Sequence, residues 1–136
     1  MKTSRLPITR RRGFTLLEMT IVIMVLLALM STGFFVNRKM DEWKLGRAAS
    51  ETLRQVYSAQ RMFLADNPTR LVSSLTATDV IPYLPGKATA LPTVKSLTGA
   101  SLGILVNVSP PVINTGSGVT YDPSGNNRDS LWDVGE

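Results

Sequence analysis

Three groups of residues in this chain have the types and spacing to do chemistry. The first is a run of cations, Arg10, Arg11 and Arg12, followed by Gly13-Phe14. The second is Glu18, a lone carboxylate inside an otherwise apolar stretch. The third is a C-terminal series of oxygen-bearing residues: Asp122, Ser124, Asn126, the Arg128 carbonyl and Asp133 stand at positions one, three, five, seven and twelve of a calcium-loop spacing. That spacing presents oxygen ligands at alternate positions and would suit a hard cation such as calcium. The glycine usual at position six is Asn127, and no helical pattern comes after the loop, so the same residues also read as a Pro-Ser-Gly-Asn turn with solvated acids, the reading the departures favour.

Several chemistries are without their residues. The chain has no histidine and no cysteine, which removes an imidazole base, a thiolate nucleophile and the usual zinc ligands. No dinucleotide-type glycine motif occurs, and Gly86-Lys87 is followed by Ala88 rather than the Ser or Thr of a phosphate loop. The residues describe a structural protein and not an enzyme.

The charges must be positioned by an apolar segment. Met19 to Asn37 contains no charged residue, and about 18 or more such residues can span a bilayer core as a helix. Lys2, Arg5, Arg10, Arg11 and Arg12 precede it without an acid, whereas Arg38 and Lys39 after it mix with Asp41 and Glu42. The positive-inside bias therefore keeps the N-terminus cytoplasmic and exports the chain beyond Asn37. Trp43, just past the span, reads as an interfacial anchor.

The order of basic leader, Gly13-Phe14 junction and Glu18 within a membrane-compatible run resembles the processing site of the type IV prepilin family, which includes type IV pilins and the pseudopilins of type II secretion. The resemblance runs from residue 1 to roughly residue 65. It implies that a prepilin peptidase removes residues 1–13, cuts between Gly13 and Phe14 and methylates the new N-terminus. It implies that Glu18 acts in assembly, and that an inner-membrane platform builds copies of the chain, or other pilins, into a helical filament. The place would be the bacterial inner membrane first, then a periplasmic pseudopilus or an extracellular pilus.

Glu18 gains a mechanism from that implication. An acid within a membrane helix costs about 2.5–3.5 kcal/mol near the centre unless it finds a partner. Cleavage would create an amine four residues before it, and in a staggered bundle the amine of one copy reaches Glu18 of the next. Such a pair is tolerated only in the right register and so selects that register. The alternative is a carboxylate that snorkels to the headgroups.

The leader also explains the charge. Of fifteen Lys and Arg against ten Asp and Glu, five basic residues and no acids lie in residues 1–13, which leaves the remainder balanced. No nucleic-acid surface is implied by the net charge of +5. Without cysteine the exported part cannot carry the C-terminal disulfide loop of many type IV pilins.

The expected fold is α+β and pilin-like. No proline lies between Pro7 and Pro68, which predicts one helix from Phe14 to about Ala65, membrane-like over 14–37. In its second half Leu45, Ala49, Leu53, Val56, Ala59 and Phe63 form one apolar stripe. Gly33 and Gly46 are its weak points, with a bend expected at Ser31-Thr32-Gly33. The exported part, 38–136, then needs a small antiparallel sheet on that stripe. Its clearest strands are Gly103 to Val108 and Val119 to Tyr121, and a helical turn capped by Thr78 is expected at Asp79 to Leu84.

Two other classes compete. Arg11-Arg12-Gly13-Phe14 also fits a twin-arginine export signal, and an uncleaved single-pass anchor would make Gly13 incidental. The run is longer than a signal core, contains Glu18 and ends in Ala28-Leu29-Met30-Ser31 rather than a small-x-small cleavage site.

Overall fold

The computed structural model of this protein describes residues 13–135. Helix α1, Leu16–Asp66, runs for 51 residues. It ends one residue before Asn67, whose N–H bonds to the Phe63 carbonyl at 2.9 Å, as the adjoining Pro68 requires. The chain divides into two units between Arg38 and Lys39, and α1 contributes to both.

In the first unit α1 shows no break at Gly33. The hydroxyls that suggested a bend bond back within the helix, Ser31 Oγ to the Leu27 carbonyl at 2.9 Å and Thr32 Oγ1 to the Ala28 carbonyl at 3.0 Å. Such back-bonding satisfies the hydroxyls and costs the helix only slightly, and α1 continues through it. This is the one helix among the described residues long and apolar enough to cross a membrane, and its apolar window is fully exposed.

The second unit holds the core. Ala49, Leu53, Val56, Ala59 and Phe63 of α1 are buried, as the periodicity requires, and Leu45 is partly buried against them. They pack on a three-stranded antiparallel sheet in the order β1 (Val94–Lys95), β2 (Ser101–Leu105), β3 (Val112–Asn114). Registers pair Val94 with Leu102 and Ile104 with Ile113. Val94, Ile104 and Ile113 are buried, and each such side chain contributes about 1.5–3 kcal/mol. Leu75, Val80 and Leu84 close the core from the segment between helix and sheet, where Phe63 meets Tyr83 edge-on at 5.9 Å.

Some expectations shift. The strand expected at 103–108 lies at Ser101–Leu105, and Val119 to Tyr121 is not a strand but joins β3 through one bridge, Asn114 to Thr120. Two amides of the intervening turn, Gly116 and Gly118, are held by Asn114 Oδ1 and not by a partner strand. The helical turn is α2, Ala77–Val80, continued by a 3₁₀ turn Ile81–Tyr83. Its cap is Thr76, because Asp79 Oδ2 accepts both the Thr76 N–H at 2.9 Å and the Thr76 hydroxyl at 2.7 Å.

Two α1 residues outside the apolar stripe attach the rest of the chain. Gln60 is fully buried, and its Nε2 donates to the Val106 and Val108 carbonyls at 2.8 Å each, where the chain leaves β2. Gly46 is buried for a different reason: a Cβ there would lie 3.0 Å from Trp132 Nε1 and 3.2 Å from Leu131 Cδ2. The position is therefore the seat of the C-terminal loop on the helix rather than a weak point. Trp132 stacks edge-on with Tyr121 at 5.4 Å, and Arg54 Nε donates to the Val134 carbonyl at 3.3 Å on the same face.

Gly46→Val should destabilise the second unit by about 1–3 kcal/mol, although it relieves the conformational cost of a helical glycine. In a Trp43→Phe background, fluorescence of the remaining Trp132 should shift to the red as it loses its seat. An unchanged melting temperature and emission maximum would show that the loop is not seated there.

Candidate functional site

The N-terminal site is a helix start. Gly13, Phe14 and Thr15 are non-helical and α1 begins at Leu16. Thr15 caps it: the Glu18 N–H reaches the Thr15 carbonyl at 3.0 Å and Thr15 Oγ1 at 3.3 Å, and the Met19 N–H reaches the same carbonyl at 3.2 Å. A threonine at the cap satisfies helix-start donors that would otherwise have no partner. The Gly13–Phe14 peptide thus lies in exposed, non-helical chain just ahead of a capped helix.

Glu18 occupies the third helical position, where an acid complements the positive end of the helix dipole. Its side chain is exposed and forms no ion pair among the described residues. Gly13, Phe14, Thr15 and Glu18 together line one shallow depression. The structure therefore brings the expected processing residues and the expected assembly residue to one end of α1. Arg10, Arg11 and Arg12 lie outside the described residues. Thr15 does not stand out in the sequence, although Thr-x-x-Glu ahead of an apolar run is a recognisable capping pattern.

The C-terminal series behaves as a turn. Asp122 Oδ1 accepts the Ser124 N–H at 3.0 Å, the Ser124 hydroxyl at 2.6 Å and the Gly125 N–H at 3.3 Å. The Asn126 carbonyl, Asp129 Oδ1 and the Leu131 carbonyl lie farther from that hydroxyl, at 3.4–3.5 Å. Of the five residues expected as calcium ligands, Asp122, Ser124 and Asn126 are linked through the Ser124 hydroxyl, and Asp133 stands near enough for the charge of Asp122 to act on its carboxyl. Asp129, absent from the expected set, stands closer to this group. Among the described residues no three His, Cys, Asp or Glu side chains are close enough to hold a metal ion. A calcium shell needs about six to eight oxygens, of which Asp122, Ser124 and Asn126 would supply three here.

Asp133 is the unusual member. Both of its carboxylate oxygens are buried and make no hydrogen bond. Burial first, and then the charges of Asp122 and Asp129, push its carboxyl above the ordinary carboxylate range, against weaker opposing pulls from the Gly135 amide and Arg54. The backbone around it is held in an uncommon form, with Ser130 at φ 59° and Trp132 at φ 66°. Gly135, at φ 59°, packs so closely on Ser130 that no side chain fits.

Comparison with known proteins bears on the first site only. Residues 8–34 match the prokaryotic N-terminal methylation motif, the type IV pilin and pseudopilin signature. No curated protein and no solved structure matches the chain. The chain is thus similar, over its N-terminal segment, to pilin and pseudopilin precursors, and the motif points to a structural subunit that is processed by prepilin peptidase. A long apolar N-terminal helix followed by a small antiparallel sheet agrees with the pilin-like α+β fold.

The raised Asp133 pKa gives a pH dependence. The fold favours the protonated form, so this residue's contribution to stability is complete below the unfolded carboxyl value of 3.8 and is lost as pH rises through the raised folded value. Asp133→Asn should accordingly raise the melting temperature at neutral pH, with the gain shrinking as the pH falls to about 4. A gain that stays constant with pH, or a loss at neutral pH, would show that the carboxylate is not an uncompensated charge in the free subunit.

Proposed function

We propose that this chain is the precursor of a filament subunit, cut between Gly13 and Phe14, methylated at the new amine and assembled through the apolar half of α1. The observation that carries this reading is the coincidence of the methylation motif over residues 8–34 with a non-helical Gly13–Phe14 peptide and a capped apolar helix bearing one acid. Before assembly the helix is held in the inner membrane with the leader in the cytoplasm. An assembly platform then draws the subunit into a helical filament, a type IV pilus or a type II secretion pseudopilus, where neighbouring copies replace lipid around the apolar face. Filament formation relieves an exposure that the single chain cannot relieve: Phe14 and Leu16 are 73% and 84% exposed. Apolar surface of that kind requires either hydrocarbon or a partner around it.

Glu18 supplies the selectivity. Cleavage places a cationic amine at Phe14, and a stagger that brings this amine to the Glu18 carboxylate of a neighbour removes the cost of burying each alone. Other staggers leave both charges in an apolar bundle. Pilus and pseudopilus make the same use of these residues, and the absence of cysteine from the small exported unit favours the pseudopilus.

The N-terminus of the mature protein tests the reading. Mass spectrometry of the membrane-extracted chain should give a species starting at Phe14 and carrying one added methyl group, and Gly13→Leu should leave the full precursor in the membrane. Retention of Met1 in the native protein would indicate an uncleaved anchor. A start beyond about residue 30 would indicate an export signal.

A further inference from the structure

The sheet of the second unit has two turns at one of its ends. Lys95 pairs with Ser101 and Gly103 with Asn114, so the chain passes from β1 into β2, and leaves β3, on the same side. The first turn is closed tightly: the Ser96 N–H donates to the Ala100 carbonyl at 2.8 Å, and the Ala100 N–H to Ser96 Oγ at 3.0 Å. Its Leu97 N–H donates to the Tyr121 hydroxyl at 2.9 Å. In the second turn Asn114 Oδ1 accepts the Gly116 and Gly118 amides. Each turn presents an apolar side chain to the outside, Leu97 in the first and Val119 in the second.

This end of the sheet lies against the start of the unit. Leu97 shares a hollow of about 300 Å³ with Lys39, Glu42 and Trp43 of α1 and with Pro123 and Trp132 of the C-terminal loop. The other end of β2 is held by Gln60 through Val106 and Val108. About 25 Å of helix separates Trp43 from Gln60, so the sheet runs along α1 with its turns toward Lys39. Lys39 opens the second unit and stands two residues past Asn37, where the uncharged run ends. Trp43 follows Asn37 by about 9 Å of helix, and its ring comes nearer because helical side chains lean toward the N-terminus. Each headgroup layer of a bilayer is about 5–8 Å deep, so a span that ends at Asn37 puts Trp43 and Leu97 at its outer edge.

The side chains at this end suit that layer. Met40, Trp43, Leu97 and Val119 are all exposed, and tryptophan favours the boundary between membrane and water. The helix acids here are already matched, Glu42 by Lys39 at 2.9 Å and Asp41 by Lys44 at 3.4 Å. Asp122, in the adjoining loop, has Oδ1 turned onto the Ser124 and Gly125 amides. Arg47 lies over the Trp43 ring at 5.5 Å and Lys95 is exposed beside the first turn, and neither has an acid partner among the described residues. Apolar tips beside unmatched cations fit lipid phosphates lying over hydrocarbon.

We propose that this end of the second unit rests on the bilayer before assembly, with Trp43 and Leu97 set among the phospholipid headgroups. The contact rests on the reading of α1 as a membrane helix and adds to it an anchor outside the helix. Two anchors on separate elements restrain the tilt and rotation of the unit on the surface. Drawing the subunit into a filament then has to lift Leu97 from the headgroups.

The full chain in vesicles of phosphatidylethanolamine and phosphatidylglycerol tests this. The sequence has no cysteine, so the single variants Thr98→Cys, Leu71→Cys and Leu26→Cys each carry one environment-sensitive fluorophore. Thr98 adjoins Leu97 on the turn, whereas Leu71, also exposed, comes after α1 has ended. Nitroxides on the lipid headgroup should quench the label at position 98 and spare the one at 71, and nitroxides deep in the acyl chains should quench the one at 26. Leu97 is exposed, so Leu97→Glu keeps the fold, read as an unchanged melting temperature in detergent. Added to Thr98→Cys, it should shift the equilibrium about tenfold toward the unquenched form. Equal quenching at 98 and 71 overturns the contact, and so does quenching at 98 that Leu97→Glu leaves unchanged. If the label at 26 escapes acyl-chain quenching, the membrane helix and the contact fall together, whereas quenching at 26 without quenching at 98 removes the contact alone.

Discussion

An apolar helix bearing one carboxylate near its start is satisfied neither in water nor in hydrocarbon. The window from Leu16 onward needs an apolar surround, and Glu18 needs a cation or a polar surface. Lipid meets the first need and only the headgroup region meets the second. A bundle of identical helices, each starting with an amine, meets both, but only at one stagger. The helix begins at the Thr15 cap, just after Gly13 and Phe14, and its second half belongs to the second unit.

The second unit meets a related constraint with few residues. Two- to five-residue strands cannot form a core without help, so the sheet and the second half of α1 stabilise each other through Leu53, Val56, Ile104 and Ile113. Without a disulfide, the C-terminal loop is fastened by packing. Trp132 sits on Gly46, Tyr121 braces Trp132 edge-on, and the Tyr121 hydroxyl accepts the Leu97 N–H at 2.9 Å. These contacts hold Ser130 and Trp132 in the left-handed region, which ordinary side chains seldom adopt. The same loop keeps the Asp133 carboxylate buried without a partner.

Legibility in the sequence tracked the range of the interaction. The long helix showed in the absence of proline and of charge, and its buried stripe showed in spacing, because both are set within a few residues. The N-terminal methylation motif over residues 8–34 was legible for the same reason, being local. Gly46, Gln60 and Asp133 were not legible in their roles. Gly46 reads as a helix defect until Trp132 is brought to it from 86 residues away, and Gln60 reads as a surface amide until Val106 and Val108 offer it their carbonyls. The third strand is hidden because Val112–Asn114 is short and comes after two prolines, while the more strand-like Val119–Tyr121 has only one bridge to pair with. The calcium spacing is regular in sequence, and in the fold Asp122 bonds to Ser124 while Asp133 lines a cavity with Pro110 and Pro111.

In the proposed filament Glu18 sets the register, and its replacement separates register from membrane anchoring. The measurement is the partition of Glu18→Ala between membrane-held subunit and filament, with the N-terminus checked for a Phe14 start. The expected result is normal cleavage, normal membrane insertion and a large loss of filament, since the more apolar helix is at least as comfortable in lipid while the register loses its charge pair. Filaments at the native level from a correctly processed Glu18→Ala chain would contradict the register role and leave the carboxylate as a headgroup contact only.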